Sequence, residues 1–321
     1  MNTIPSIFNE HQVPLTILSG NENIANPRLP LAVILLNVAS GGLYRSRILE
    51  NLIKSGFSSI VSVDKSAGNY NVEEMLRNFP CVKFVIPRED VTMGDMVNIG
   101  MGEISEDYAL VITDSIHVTP ALLSVNVIER YIIQDYFCLV PKLVDQQRRA
   151  LPVRFTPKVE HSVLKPEFSD IISDKCHTLY PFDFIGIYNR AKFIKLGGYD
   201  HTITSPYWQN LDFSLRAWLW GEEFIMSPLF QLAYEGEVPV PDTTPDKTQL
   251  RFFLKNGAPR YVDNRCYIPY SRFVSYRRRS KLPIGLAYRE FMEARRWVAK
   301  NKYHFQQDLS MLVDNWRDKP Q

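Results

Sequence analysis

From residue 31 to residue 131 the chain alternates short, wholly apolar runs with stretches of helical periodicity, and few folds accommodate that pattern. The run Leu31-Ala-Val-Ile-Leu-Leu36 is continuously apolar and short, as expected of a strand covered on both faces in a parallel sheet. A turn follows at Ala39-Ser-Gly-Gly42. Leu43, Ile48, Leu49, Leu52 and Ile53 then recur at helical spacing, with Gly56 as a C-terminal cap. Further strands are expected at 60–63, 82–86 and 108–113, and helices at 71–78, 92–101 and 120–131. The alternation predicts an α/β fold with right-handed crossovers and a mainly parallel sheet flanked by helices. Ligands of such sheets sit at the carboxyl ends of the strands. Those ends hold Asn37, Asp64, Pro87 and Asp114.

Between 137 and 175 the signal weakens, because Pro141, Pro152, Pro157 and Pro166 interrupt any long element. A strand is expected near 137–140, another over 182–189, a helix over 190–196, a turn at Gly197-Gly198, and an apolar helix from 207 to 220 closed by Gly221. Residues 238–245 are Pro-rich and read as a linker, followed by helical patterns at 246–255, 284–300 and 305–316. The resulting division is a lead-in over 1–30, an α/β domain over 31–237 and a helical extension over 238–321.

With 37 basic against 35 acidic residues the chain is nearly neutral, which points away from nucleic acid as a partner. The four cysteines lack Cys-x-x-Cys spacing, which argues against a disulfide scaffold or a structural zinc site. No signal peptide is evident, and the longest apolar run of the first domain is about half the ~20 residues of a spanning helix. A cytoplasmic location is expected, with peripheral contact to the inner membrane face as an extension of it. The contact residues would be Arg272, Arg277, Arg278, Arg279 and Lys281, a local basic cluster interleaved with Phe273 and Tyr276. That cluster could hold a phosphate-bearing lipid acceptor or rest on an anionic membrane; a solvated loop is the plain alternative. The amphipathic pattern beyond residue 284 is expected to pack on the main domain, with a homo-oligomer contact as second reading.

Several motifs fall in a recognisable order. They are Leu36-Asn-Val-Ala-Ser40, Val63-Asp-Lys-Ser-Ala67 with Asn71-Val-Glu-Glu74, and Gly94-Asp-Met-Val-Asn98-Ile-Gly100. Thr113-Asp-Ser-Ile-His117 comes next, then Gly197-Gly-Tyr-Asp200, and finally Tyr207-Trp-Gln-Asn-Leu-Asp-Phe-Ser-Leu-Arg216. Over about residues 31 to 235 this order resembles the family 2 glycosyltransferases. The resemblance implies a GT-A fold and a nucleotide-diphosphate sugar donor contacted by Asn37, Asp64, Ser66, Asn98 and Asp114. It also implies a glycan, lipid-linked or other acceptor. Asp64 has its own chemical rationale, since a carboxylate at a strand end can accept from a pyrimidine ring N–H; a capping or turn role is the alternative. The family's Asp-x-Asp motif holds a divalent cation against the diphosphate. In this chain Thr113 and Ser115 flank Asp114, so one strong ligand is missing: either the metal site is weakened or absent, or Mn²⁺ or Mg²⁺ falls to Asp114 with His117.

The family places a Glu-Asp pair at the acceptor, its Asp acting as general base. This chain has Gln209 and Asn210 there, with Asp212 following. An amide cannot take the hydroxyl proton, and loss of a general base costs a factor of about 10² to 10⁴. Gln209, Asn210 and Asp212 are therefore the candidate catalytic positions. Two expectations stand side by side: a transferase with an unusual site, or an inactive nucleotide-sugar-binding or partner protein. A nucleotidyltransferase is a third reading, favoured only by Ala39-Ser-Gly-Gly42 with Arg45.

Overall fold

The computed structural model describes residues 8, 10–19, 22–38, 42–65, 72–118, 124–160 and 163–316. In chain order the principal elements are β1 (Leu15–Ser19), β2 (Leu29–Asn37), α1 (Gly42–Ser55), β3 (Phe57–Asp64), α2 (Val72–Asn78), β4 (Val82–Pro87), α3 (Met93–Glu103) and β5 (Tyr108–Thr113). They continue as β6 (Ile116–His117), α4 (Val125–Ile133), β7 (Cys138–Val144), β8 (Cys176–His177), β9 (Gly186–Asn189), α5 (Arg190–Lys195), α6 (Pro206–Leu219) and β10 (Phe224–Tyr234). The extension adds α7 (Lys247–Phe252), α8 (Arg272–Ser280), α9 (Ile284–Lys300) and α10 (Leu309–Asp314).

Among the described residues these strands form one mixed sheet in the order β1-β4-β3-β2-β5-β9-β7-β10-β8, with β6 on β10. Strands β2, β3, β4 and β5 are parallel neighbours, and Asn37 pairs in register with Asp64. The run from Leu31 to Leu36 is wholly buried because β3 and β5 flank β2 and helices cover its faces. Helix α3 lies directly on it: a Cβ added at Gly100 would stand 2.4 Å from Ile34 Cγ2, so this close approach requires glycine. Thr92 and Asp95 form a reciprocal capping box at the start of α3 and fix where that helix begins.

Four differences from the sequence reading matter. The lead-in contributes β1, an edge strand antiparallel to β4. Pro141 lies inside β7 without ending it, at the point where the ladder to β10 slips between Ser227 and Gln231; an irregular ladder is where a strand tolerates proline. The strand expected over 182–189 is only Gly186–Asn189, and its first half is a 3₁₀ turn, Phe182–Phe184. The basic stretch 272–281, alternatively a loop, is α8.

The extension is fastened to α6 by charge as well as by rings. After α7 the chain makes one π-helical turn, Phe253–Gly257, which delivers the fully buried Lys255 between two carboxylates. Its Nζ is 2.8 Å from Asp200 Oδ2 and 2.7 Å from Asp212 Oδ2. Asn256 Nδ2 donates to Asp212 Oδ1 at 2.8 Å. Trp220 stacks near Trp297, and Trp218 packs against Trp316.

Candidate functional site

The carboxyl end of β5, the first residue of α3, the 3₁₀ turn, the first turns of α6 and the segment after β10 enclose a cavity of about 500 Å³. Aromatic side chains form one wall: Tyr180, Phe182, Phe184 and Tyr207. Phe155 holds the Tyr180 ring by stacking at 4.1 Å, and Tyr207 meets Tyr180 edge-on at 6.2 Å. Asp114, Asp183, Glu237 and Asp242 supply carboxylates, and no basic side chain is among the described lining residues. The segment carrying Pro239, Val240, Pro241 and Asp242, expected as a linker, is part of the wall.

Asp183 occupies the centre of this arrangement, and the sequence reading did not single it out. It sits in the left-handed region (φ 52°, ψ 33°), which Asp tolerates better than most residues. Phe184 beside it is also left-handed, at φ 64°, and for a bulky residue this is strained. The double reversal turns the Asp183 carboxylate toward two distant strands. Tyr234 at the end of β10 donates its hydroxyl to Oδ2 at 3.1 Å, and Thr113 at the end of β5 donates at 3.4 Å. Thr113 Oγ1 is itself 2.9 Å from Ser115 Oγ. Burial pushes the Asp183 carboxyl up to about 6; the two hydroxyls pull it down, and the charge of Asp114 adds to the rise. Burial likewise pushes the Tyr234 hydroxyl up, with the Asp183 charge adding to the effect.

Asn210 lines the same cavity. Its Nδ2 donates to Pro181 O at 2.7 Å, while its buried Oδ1 has no partner among the described residues. A buried carbonyl oxygen without a donor is an unmet acceptor.

The other expected residues are distributed differently. Gln209 is turned away from the cavity: Oε1 accepts from Gly94 N at 2.9 Å, and Nε2 donates to Thr92 Oγ1 at 2.8 Å and Asp200 O at 3.1 Å. It joins α6 to the start of α3. Asp212, expected near the chemistry, is instead the buried partner of Lys255, Asn256 and Arg216. Asn98, expected at the donor, clamps Tyr199, donating to its carbonyl at 2.9 Å and accepting from its amide at 2.8 Å. Asp64 is buried and ion-paired with Arg45 at 3.1 Å, and Arg45 also donates to Ser62 at 2.9 Å. Asn37 donates to Ser62 Oγ and Val63 O. Neither Asn37 nor Asp64 is among the lining residues of the cavity. Ser66 lies outside the described residues, as do 39–41, 67–71 and 119–123.

Asp114 does line the cavity, but His117 is engaged elsewhere, its Nδ1 2.7 Å from Glu235 Oε1. Among the described residues no three His, Cys, Asp or Glu side chains converge as a cation set. Mg²⁺ needs only one or two protein carboxylates beside substrate phosphates, a role open to Asp114, and no step below is routed through a cation.

No protein-family model matches the sequence, and no curated protein matches it. Solved structures do. The structure titled "Crystal structure of GalNAc-T7 with UDP, GalNAc and Mn2+" superposes with a TM-score of 0.63 over 90% of this chain and 56% of its own, at 13% identity. S. aureus TarS 1–349 superposes with a TM-score of 0.50 over 82% of this chain and 70% of its own, at 14% identity. Its UDP-GlcNAc complex gives 0.50 at 13% identity. The chain has the GT-A fold. In GT-A terms, strands β2 to β5 form the parallel half of the sheet, and the cavity lies at the carboxyl ends of β2 and β5. The chain spans little more than half of GalNAc-T7, so the likeness concerns the GT-A unit and not that whole protein.

Proposed function

We propose that the chain transfers a sugar from a nucleotide-diphosphate donor to an acceptor hydroxyl bound in the cavity, with Asp183 receiving the hydroxyl proton. The observation that carries this reading is the half-buried Asp183 carboxylate lining the aromatic cavity, with an Asn210 that cannot act as a base lining it too. The acceptor O–H proton passes to Asp183, the oxygen forms a bond to the anomeric carbon, and the nucleoside diphosphate leaves with the electrons of the broken C–O bond. Asn210 Oδ1 accepts from a hydroxyl of the bound sugar or acceptor and orients it. The aromatic wall stacks on the apolar faces of sugar rings. The charged side chains described on the lining are all acidic and repel phosphate, so the sugar and acceptor occupy the cavity and the diphosphate lies beyond it toward Asn37. The solved GT-A relatives carry UDP or UDP-GlcNAc, which supports a uridine nucleotide as the first donor to try.

The test is turnover of a panel of UDP-sugars, with and without added acceptor glycans and Mn²⁺, by wild type and Asp183→Asn. Wild-type turnover that falls by about 10² to 10⁴ in the variant, with donor binding retained, is expected. Equal rates would remove Asp183 from the mechanism. A second reading, a non-catalytic nucleotide-sugar-binding partner, is favoured by the amides Gln209 and Asn210 standing where the resemblance implies a carboxylate pair. Calorimetric UDP binding with no turnover on any donor would select it.

A further inference from the structure

Helices α8 and α9 form an antiparallel hairpin whose inner side is well packed. Phe273 meets Phe291 at 5.3 Å and Tyr288 at 5.8 Å, and the Tyr276 hydroxyl is hydrogen-bonded to Glu290. Ala287, Phe291, Ala294 and Val298 bury the inner face of α9. The opposite character appears around the turn joining the helices. Ile284 is 68% exposed, Leu286 42% and Tyr288 50%, while Val274 on α8 is 55% exposed. Ile284 and Tyr288 are one helical turn apart, as are Val274 and Arg278, so each helix presents a continuous exposed stripe. Large aliphatic and aromatic side chains clustered in water require a partner to be anything but a cost.

The charge beside them identifies the partner. Arg277, Arg278 and Arg279 fill the last turn of α8, and Lys281 follows as its left-handed C-cap. Among the described residues none of these four has a carboxylate within ion-pairing distance. Burial and the charges of neighbouring Arg260 and Arg279 hold the Arg272 guanidinium below its ordinary range, so the arginines of this region lie close enough to repel one another. Arg279 lies over the Phe253 ring at 4.8 Å, and with Lys281 it borders an apolar groove that includes Leu250. The chain as a whole carries a formal charge of only +2, so this concentration is local.

Uncompensated cations interleaved with exposed aliphatic and tyrosine side chains match a leaflet interface, where apolar groups enter the acyl boundary and cations meet lipid phosphates. A soluble polyanion would use the cations and leave Ile284 and Leu286 in water. A second copy of the chain would bring the same positive charge against itself. Among the described residues no helix is long and apolar enough to cross a membrane. We infer that the end of the α8–α9 hairpin is a docking surface for an anionic lipid bilayer. The inference is independent of the sugar-transfer reading.

The experiment is co-sedimentation of the full chain with phosphatidylserine–phosphatidylcholine vesicles and with pure phosphatidylcholine vesicles, at about 0.1 M and about 1 M salt. Binding to the anionic vesicles at low salt, weakened at high salt, is expected. The triple variant Arg278→Glu, Arg279→Glu, Lys281→Glu should lose binding by at least a hundredfold, since each basic residue near the leaflet contributes about a fivefold factor. The pair Ile284→Ser, Tyr288→Ser should weaken binding tenfold or more while leaving the charge intact. All these positions are exposed, and an unchanged circular dichroism spectrum checks the fold. Should the triple variant misfold, the wild-type lipid and salt dependence decides alone. Absence of binding to anionic vesicles, equal binding to both compositions, or indifference to the variants would overturn the inference. So would a salt-insensitive dimer in sedimentation velocity that buries these residues.

Discussion

At the scale of single residues, Asp183 couples folding to the proposed chemistry through one proton. Its carboxyl titrates near 6 in the folded chain and near the ordinary value of about 4 when unfolded. A carboxylate raised in this way costs nothing below pH 4, where both states hold the proton. It opposes folding increasingly as pH rises from about 4 to about 6, and by a constant amount above that. The full penalty is about 3 kcal/mol, from about two pH units at about 1.4 kcal/mol each. Asp183→Asn retains an oxygen for Tyr234 and Thr113 and removes the charge. The variant should therefore gain stability over wild type in urea unfolding at pH 8 and lose that advantage at pH 4. Activity should run the other way: a proton acceptor must be ionised, so the wild-type rate rises through pH 6 and levels off.

Gln209 and Asn210 show what was and was not legible at this scale. The motif located both correctly as adjacent residues on α6. Adjacent helical positions are turned by about 100° from one another, so only one of the pair can line the cavity while the other packs on α3. Sequence order alone does not say which. Asp183 had no signal at all. Phe182-Asp-Phe-Ile alternates like a strand, and neither the backbone reversal nor the burial beneath Tyr234 is encoded locally.

At the scale of elements, the periodic pieces were legible and the interrupted ones were not. Strand β5 has the limits its apolar run predicts, and α6 runs from Pro206 to Leu219 against an expected 207–220. Strand β10 was missed because Ser227, Pro228 and Gln231 break its pattern, and its pairing with β7 is made across that irregularity. The junction between α6 and the π-helical turn was equally silent, since Lys255 reads as a surface lysine until the fold buries it. Burial alone would push Asp200 up, and the charges of Lys255 and Arg251 instead hold it well below the carboxylate range. Lys255→Met would remove the nearest cation from two buried carboxylates, leaving Arg251 at 3.6 Å from Asp200 and Arg216 at 3.6 Å from Asp212, and about 3 kcal/mol of stability should be lost in equilibrium urea unfolding. Adding Asp200→Asn and Asp212→Asn to that variant should recover part of the loss, because amides cost less than unpaired charges. A loss below about 1 kcal/mol would show that water reaches this cluster.

At the scale of the whole molecule, the extension is not an appendage. Trp208 Nε1 donates to Thr244 O, Gln306 N donates to Leu219 O, and Gln307 Nε2 donates to Trp218 O, so α6 is bracketed along its length by residues beyond 238. A chain ended after residue 245 would leave Asp200 and Asp212 buried without Lys255 and expose Trp218 and Trp220. It should be recovered as an aggregate or show no cooperative thermal transition, whereas a soluble, cooperatively folding product would mean that the first 245 residues hold the fold alone.

The segment through Pro239, Val240 and Pro241 is tethered at both ends. On one side Glu235 N donates to Ser115 O beside β6, and on the other Lys255 is locked to α6. The wall it adds to the cavity spans the stretch between those two anchors. A site bounded in that way recognises by fit, so exchanging those few bridge residues between related chains would be the shortest route to a different acceptor without touching the chemistry beneath it.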